Sequence, residues 1–239
     1  MSQKDYKFDK FYNRWSLANN LIVLAGFTST LVTGSYVYWI GIAALSFGIY
    51  LVKLPVVLPS FPVWIGYPNW ISLTRLIVIL IAFSIHNSLS DVVLLIIFLS
   101  VILMDGLDGA VARRLKQTSK AGEYFDMEID ALFVFLLSCM HFMDQKLPVW
   151  IIIPGSMRYV YGVLFFWMKE PPKSKPGKKI RSTIAVLFFV SLLFPFFLNE
   201  EIYTPLMMFS SALIMISFGI SIVNRLIYNI SINRSSDLS

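Results

Sequence analysis

Residues 105–130, DGLDGAVARRLKQTSKAGEYFDMEID, determine how this chain is interpreted, because they place four aspartates at helical spacing. Asp105 and Asp108 are three residues apart, and Asp126 and Asp130 are four apart, so each pair projects from one face of a helix. Apolar runs flank the stretch at residues 92–104 and 131–139. Carboxylates near membrane depth are costly unless a cation neutralises them, and the pattern therefore indicates a functional site. Two facing carboxylate pairs suit hard divalent cations such as Mg²⁺ or Mn²⁺.

Other acidic residues lie at predicted helix ends, where solvation near the membrane surface is enough to explain them. This interpretation applies to Glu123, Glu128, Asp91 and Asp144. It fits the four motif aspartates poorly, because their spacing coincides with apolar flanks and with neighbouring glycines.

The composition predicts an integral membrane protein. Of the 239 residues, 57% are hydrophobic and only 14% are charged, with a mean hydropathy of +0.71, whereas soluble domains carry about a quarter charged residues. The polar start MSQKDYKFDKFYNRW does not resemble a cleavable signal peptide. The single cysteine, Cys139, lies in an apolar run and is expected to be a packing residue, and ligands for a structural zinc site are lacking.

The net charge of +6 favours anionic lipid head groups and phosphorylated substrates as partners over nucleic acid, because the basic residues flank apolar segments. Basic clusters precede the first apolar segment, follow the fourth and the sixth, and lie at the end of the last. The other connections between apolar segments, which would lie on the opposite side of the membrane, contain a single lysine, Lys146. By the positive-inside rule, both termini and the aspartate motif are expected to face the cytoplasm.

Eight apolar segments are candidates for membrane-spanning helices of about 20 residues each. They are residues 16–34, 36–58, 70–88, 91–112, 123–143, 148–168, 181–198 and 204–228. Lys53 and Pro55 interrupt the second near its end, and Trp64 and Tyr67 beyond it suit the head-group layer. The sequence therefore predicts an all-α, polytopic membrane helix bundle of about eight spans. We interpret residues 1–66 as an accessory transmembrane hairpin and residues 67–239 as the working domain.

The aspartate motif has a recognisable spacing. It reads Asp105-x-x-Asp108-Gly109-x-x-Ala112-Arg113, then eight residues, then Gly122-x-x-x-Asp126-x-x-x-Asp130. This pattern resembles the signature of the CDP-alcohol phosphotransferase family, integral membrane enzymes of phospholipid synthesis. Upstream, Pro68-Asn69-x-x-x-Leu73-Thr74 is similar to the motif with which the family's first core helix begins. Six core spans after residue 67 also fit the family, which does not require the N-terminal hairpin.

The residue types suit the chemistry that this resemblance implies. Two metal ions held by four carboxylates can bind the diphosphate of a CDP-linked donor and stabilise the charge that moves onto the leaving CMP. Gly109 and Gly122 allow close approach of backbone and nucleotide, and Arg113 offers a planar fork for phosphate oxygens. The resemblance implies that Asp130 is both a metal ligand and the general base that takes the proton from the acceptor hydroxyl.

The resemblance also implies which residues contact the donor's nucleotide or diphosphate. These are Tyr67, Pro68, Asn69, Trp70, Gly109, Arg113, Ser119 and Gly122. A plain helix start for Pro68 and Asn69, and a solvated loop position for Ser119, are the simpler structural explanations.

Candidate acceptor-binding residues lie further along the chain. Arg158 is a charge in the middle of an apolar segment, so we expect it either to line the acceptor pocket or to pair with a site carboxylate. The basic connection after it contributes four more candidates: Lys175, Lys178, Lys179 and Arg181. The simpler explanation of that connection is ordinary positive-inside charge that binds anionic lipid.

The sequence thus predicts transfer of a phosphatidyl group from CDP-diacylglycerol to a small hydroxylated acceptor, with glycerol 3-phosphate as the first candidate. The alternatives are transfer from a CDP-choline or CDP-ethanolamine donor to diacylglycerol and, more remotely, transport of a divalent cation. A homodimer is expected from the resemblance alone. The acceptor, the physiological metal, the acyl-chain preference and the role of the hairpin are not determined by these residues.

Overall fold

The computed structural model describes residues 3–57, 67–114, 119–169, 171 and 175–236; the side chains of 3–5, 67–69, 107–114, 175–179 and 233–236 lie outside that description. Within these ranges the chain forms eight α-helices and no strand. They are α1 (Gln3–Thr33), α2 (Val37–Val57), α3 (Tyr67–Ser84), α4 (Asp91–Arg114), α5 (Lys120–Met143), α6 (Ile152–Leu164), α7 (Lys175–Ser191) and α8 (Glu200–Ser236). Each of the eight predicted apolar segments overlaps one of these helices, and the all-α membrane bundle is confirmed.

Three helices in the described part of the chain are long and apolar enough to cross a membrane by themselves. They comprise Tyr6–Thr33, Val37–Val57 and Glu200–Ile232. Shorter apolar helices lie at Trp70–Ser84, Val149–Leu164 and Ile180–Phe196. The number of spans therefore remains a prediction, although the class of protein, an integral membrane protein, does not depend on it.

Helix α1 begins 13 residues before the predicted start of the first span, at Gln3 instead of residue 16. The polar start folds as helix because one face of it is apolar: Phe8, Tyr12 and Trp15 recur at helical spacing and are buried. Tyr12 stacks on Tyr124 of α5 with ring centroids 4.2 Å apart. Packing of that face, and not the hydropathy of the whole segment, sets where the helix begins.

Helix α5 is the central helix of the bundle. Its second half is largely apolar and mostly buried, as Phe133, Phe135, Leu137 and Cys139 illustrate, a pattern typical of a helix surrounded by others. Helix α3 packs along α4 and α5, α6 packs along α5, and α7 packs along α8. The buried position of Cys139 agrees with its predicted packing role.

The N-terminal hairpin of α1 and α2 packs directly on this central helix. At the start of α5, Lys120 forms an ion pair with Asp9 at 2.5 Å, and the Tyr50 hydroxyl donates to the Ala121 carbonyl at 3.0 Å. Further along, α1 lies against α6, where Gly162 leaves room for Asn20, since a Cβ there would come within 2.2 Å of the Asn20 amide nitrogen. The division into an accessory hairpin and a working domain remains a proposal, and the hairpin is packed into the bundle.

Glu128 was expected to be solvated, and this expectation is wrong. Its side chain is fully buried on α5. One carboxylate oxygen accepts hydrogen bonds from the Tyr12 hydroxyl at 2.8 Å and the Ser16 hydroxyl at 3.3 Å, and from the Arg158 guanidinium at 2.5 Å. A buried carboxylate needs such partners, and this group of four residues joins α1, α5 and α6.

Glu128 and Arg158 are expected to behave as one stabilising unit. Replacing Glu128 by Gln leaves the Arg158 charge without a counter-ion and should lower the free energy of unfolding by about 3 kcal/mol. Arg158→Met should have a similar effect, whereas the double variant removes both charges and should regain part of the loss. Thermal unfolding of the detergent-solubilised proteins measures the loss of stability in the two single variants and in the double variant. Additive losses in the double variant would show that the two side chains do not stabilise each other.

Candidate active site

Arg75 of α3 connects the motif aspartates. Its side chain has no solvent exposure. One terminal nitrogen, Nη1, lies 2.7 Å from Asp105 of α4 and also contacts Asp126 of α5, and the other, Nη2, contacts Asp130 one turn further along α5. A planar guanidinium with two terminal nitrogens can bridge several carboxylates in a fixed geometry that the single ammonium group of a lysine does not provide.

Three of the four predicted metal ligands converge around this arginine. One carboxylate oxygen from each of Asp105, Asp126 and Asp130 lies within 4.8 Å of the others. The three side chains are 30–37% exposed, whereas Arg75 beneath them is fully buried. The carboxylates therefore line an open side of the cluster with the arginine as its floor.

The cluster retains a negative balance. Three carboxylates and one guanidinium leave two formal negative charges among these four residues. Oxygen ligands with surplus negative charge suit Mg²⁺ or Mn²⁺, so the donor set fits a divalent cation. The fourth predicted ligand, Asp108, has its side chain outside the described residues, and a second cation at the site remains a prediction.

The predicted donor-binding residues are described only in part. Trp70 lies on the exposed surface of α3, five residues before Arg75. Ser119 is the N-cap of α5, and its hydroxyl accepts from the Gly122 amide at 3.0 Å, a structural role that differs from the solvated loop position considered for it. The other side chains lie outside the described residues: Tyr67, Pro68, Asn69, Gly109 and Arg113.

The acceptor candidates are not brought to the aspartates by any contact in the described part of the chain. Arg158 pairs with Glu128, and Glu128 lies on the opposite face of α5 from Asp126 and Asp130, because a step of two residues rotates a helix by about 200°. Arg181 donates to the Ser221 hydroxyl at 3.2 Å and thereby joins α7 to α8. The side chains of Lys175, Lys178 and Lys179 lie outside the described residues.

Two residues at the centre of these networks were missed from sequence. Arg75 follows directly on the motif Leu73-Thr74 and is the one charge in the apolar run WISLTRLIVIL. Like Arg158, Arg75 is a charge in an apolar segment that needs an interior partner, so the sequence marks both residues equally well. Glu128 has no comparable signal, because it lies between two motif aspartates and near a predicted helix start.

Comparison with known proteins points to one family. The family model described as CDP-alcohol phosphatidyltransferase matches residues 65–223. Three proteins named CDP-diacylglycerol–glycerol-3-phosphate 3-phosphatidyltransferase are similar to the chain. The protein from Aquifex aeolicus (strain VF5) is 37% identical over 84 residues, the one from Sodalis glossinidius (strain morsitans) 27% over 144, and the one from Pseudomonas fluorescens 24% over 173. No solved structure matches the chain.

The extent of these similarities differs. The match to the A. aeolicus protein covers 34% of this chain and 46% of that relative. The corresponding shares are 54% and 77% for the S. glossinidius protein, and 67% and 87% for the P. fluorescens protein. The matched stretch spans less than half of the A. aeolicus protein.

Divalent cations should stabilise the folded protein through the three described aspartates. A cation that binds only the folded state at a hundredfold excess over its Kd adds about 2.7 kcal/mol. Thermal unfolding with and without Mn²⁺ should show this as an increase in Tm, which Asp126→Asn should largely abolish. Asp91→Asn is the matched control, because Asp91 pairs with Lys146 away from the cluster. An equal loss of the Mn²⁺ effect in both variants would contradict the site.

Arg75→Lys should retain the buried positive charge but lose the bridge between the aspartates. Because residues that orient metal ligands typically contribute 10–100-fold to affinity or activity, we expect a loss of activity in that range. Arg225→Lys is the control, since Arg225 is also buried but donates to the Phe165 carbonyl at 2.7 Å, at the end of α6. Activity is measured as CMP release and is expressed per amount of folded protein. Full activity of Arg75→Lys would show that the bridge is unnecessary.

Proposed function

The chain belongs to the CDP-alcohol phosphatidyltransferase family, and from this premise we propose that it transfers a phosphatidyl group from CDP-diacylglycerol to a small hydroxylated acceptor, with release of CMP. The observation that carries the proposal is the convergence of Asp105, Asp126 and Asp130 on one buried arginine. These three aspartates belong to the sequence motif, and in the proposed reaction they hold the metal that binds the diphosphate of the CDP-linked donor.

Glycerol 3-phosphate is the proposed acceptor. The three similar proteins are named for this acceptor. The basic connection before and at the start of α7 supports it by charge, because an acceptor that carries a phosphate requires cations near its binding site. Within that connection, Lys175, Lys178, Lys179 and Arg181 are the proposed contacts, and Arg158 is a weaker candidate since it pairs with Glu128.

The aspartates are proposed to hold the metal. Asp105, Asp108, Asp126 and Asp130 would bind Mg²⁺ or Mn²⁺, two ions per site, and bound metal neutralises the diphosphate of the donor. Arg75 contacts one oxygen of each of Asp105, Asp126 and Asp130, and the three side chains are partly exposed. The open side is where a substrate can approach.

Asp130 is the proposed general base. Its carboxylate accepts the proton of the acceptor hydroxyl as that oxygen forms a bond to the phosphorus of the phosphatidyl group. The bond from that phosphorus to the CMP oxygen breaks, and CMP leaves with the electron pair. No covalent intermediate with the protein is needed. The Arg75 contact fixes where the Asp130 carboxylate lies relative to the other two.

The donor's nucleotide and diphosphate are proposed to lie beside the cluster, against residues from α3, α4 and the start of α5. The proposed contacts are Tyr67, Pro68, Asn69, Trp70, Gly109, Arg113, Ser119 and Gly122. The exposed indole of Trp70 on the helix that carries Arg75 supports this placement.

The active site and both termini are proposed to face the cytoplasm, where soluble phosphorylated acceptors are available. The second turn of α1 lies beside the first turn of α5, where Asp9 and Lys120 form an ion pair. The basic N-terminal segment and the aspartates are therefore at the same end of the bundle, in agreement with the positive-inside rule. A homodimer is proposed from family membership alone.

Purified protein should release CMP from CDP-diacylglycerol when Mg²⁺ or Mn²⁺ and glycerol 3-phosphate are present. Serine, inositol phosphate and inositol are tested as alternative acceptors, and CDP-choline with diacylglycerol as the alternative donor pair. Asp130→Asn should lower the rate at least a hundredfold, since a positioned base contributes about 10²–10⁴-fold.

Asp144→Asn is the matched control, because it makes the same change at the C-cap of α5, several turns beyond Asp130. It should release CMP at the wild-type rate. Undiminished release by Asp130→Asn would contradict the role of the base, and release only from CDP-choline would contradict the proposed donor.

A further inference from the structure

A groove of about 580 Å³ lies along the outside of the N-terminal hairpin, within the size range of small-molecule sites. It belongs to the part of the chain that precedes the family match at residue 65. Its basic end is formed by four side chains: Lys7, Lys10 and Arg14 of α1 and Lys53 of α2. All four are exposed.

These four cations converge without a carboxylate between them. The three on α1 recur at spacings of three and four residues, so they share one face of the helix. Among the described residues, none of the four forms an ion pair, whereas Lys120 and Lys146 are each paired with an aspartate. Like charges gathered at one groove repel each other unless an anion lies between them.

The remainder of the groove is apolar. Phe11, Trp15, Ala18 and Ile22 continue along the same face of α1, and Ile49 lies opposite on α2. The Trp15 indole donates to the Ser46 carbonyl at 2.9 Å, so this side chain forms a fixed floor between the two helices. Residues 7 to 22 extend about 22 Å along a helix at about 1.5 Å per residue, which exceeds the depth of one leaflet, about 15 Å of hydrocarbon.

The groove is separate from the aspartate cluster. Phe8, Tyr12 and Ser16 lie on the adjacent face of α1, one residue round the helix from Lys7, Phe11 and Trp15, and that face packs on α5. The groove opens toward the surroundings of α1 and α2, since its four cations, Ala18 and Ile49 are exposed.

We propose that this groove binds one anionic phospholipid of the leaflet on the aspartate side of the membrane. The phosphate of the head group lies among Lys7, Lys10, Arg14 and Lys53, and an acyl chain lies along the apolar part of α1. Positive-inside charge would explain the number of cations, but it does not require them to line the mouth of an apolar groove. A soluble anion would leave that apolar length exposed, so a lipid is the ligand that matches both parts.

Native mass spectrometry of the full-length protein in detergent tests the proposal. The probes are phosphatidylglycerol, phosphatidylcholine and inorganic phosphate, each titrated separately. The wild-type protein should retain phosphatidylglycerol in preference to phosphatidylcholine. Loss of one cation, in Arg14→Gln or in Lys53→Gln, should weaken retention about fivefold, since each basic residue near an anionic surface contributes about 1 kcal/mol.

Two matched controls separate the groove from general charge and surface effects. Lys169→Gln removes an exposed cation outside the groove and should retain phosphatidylglycerol as the wild type does. Ala18→Phe fills the apolar part without changing the charge and should reduce retention, whereas Ala44→Phe, on the opposite face of α2, should not. Melting temperatures confirm that each variant is folded.

Equal retention of the two lipids by the wild type would overturn the proposal. So would the same loss in Arg14→Gln and Lys169→Gln, or displacement of the lipid by inorganic phosphate at a similar concentration. None of these results depends on CMP release, so lipid binding in the groove can be contradicted without contradicting the proposed reaction.

Discussion

The contact between Arg75 and three aspartates is the constraint on which the rest of the site depends. Carboxylate oxygens of the three aspartates lie within 4.8 Å of one another. Two unit charges about that far apart repel by roughly 3–4 kcal/mol at an effective dielectric constant of about 20. Three carboxylates from α4 and α5 are therefore expected to converge only where a cation is held among them. Arg75 supplies that cation from α3, buried and fixed, while the carboxylates remain open on the other side. This geometry suits the proposed chemistry on a diphosphate, because it holds the acids close together and leaves them partly exposed.

The position of α5 follows from a second buried ion pair. Glu128 faces away from the aspartates and holds Arg158 of α6 together with Tyr12 and Ser16 of α1. The two networks lie on opposite faces of one helix, so a rotation of α5 would disturb both. The N-terminal hairpin therefore contributes to the placement of Asp126 and Asp130, although it lies outside the family match.

The pattern of residues was sufficient for the bundle, the approximate helix positions and the convergence of Asp105, Asp126 and Asp130, because helical spacing and apolar runs are local signals. It was insufficient for α1, which begins early because Phe8 and Tyr12 find partners on another helix. It also misplaced Glu128 as solvated, since burial of an acid depends on a cation 30 residues further along the chain. Arg75 could have been identified as Arg158 was, as a charge in an apolar segment. Its role became evident only from the packing of α3 beside α4 and α5.

The most direct test of this account is anomalous diffraction from Mn²⁺ in crystals of the protein grown with CDP-diacylglycerol. We expect anomalous density bounded by the carboxylates of Asp105, Asp126 and Asp130, with the donor's diphosphate on the exposed side of the cluster. Mn²⁺ density only at other positions, with the three carboxylates contacting Arg75 alone, would contradict it.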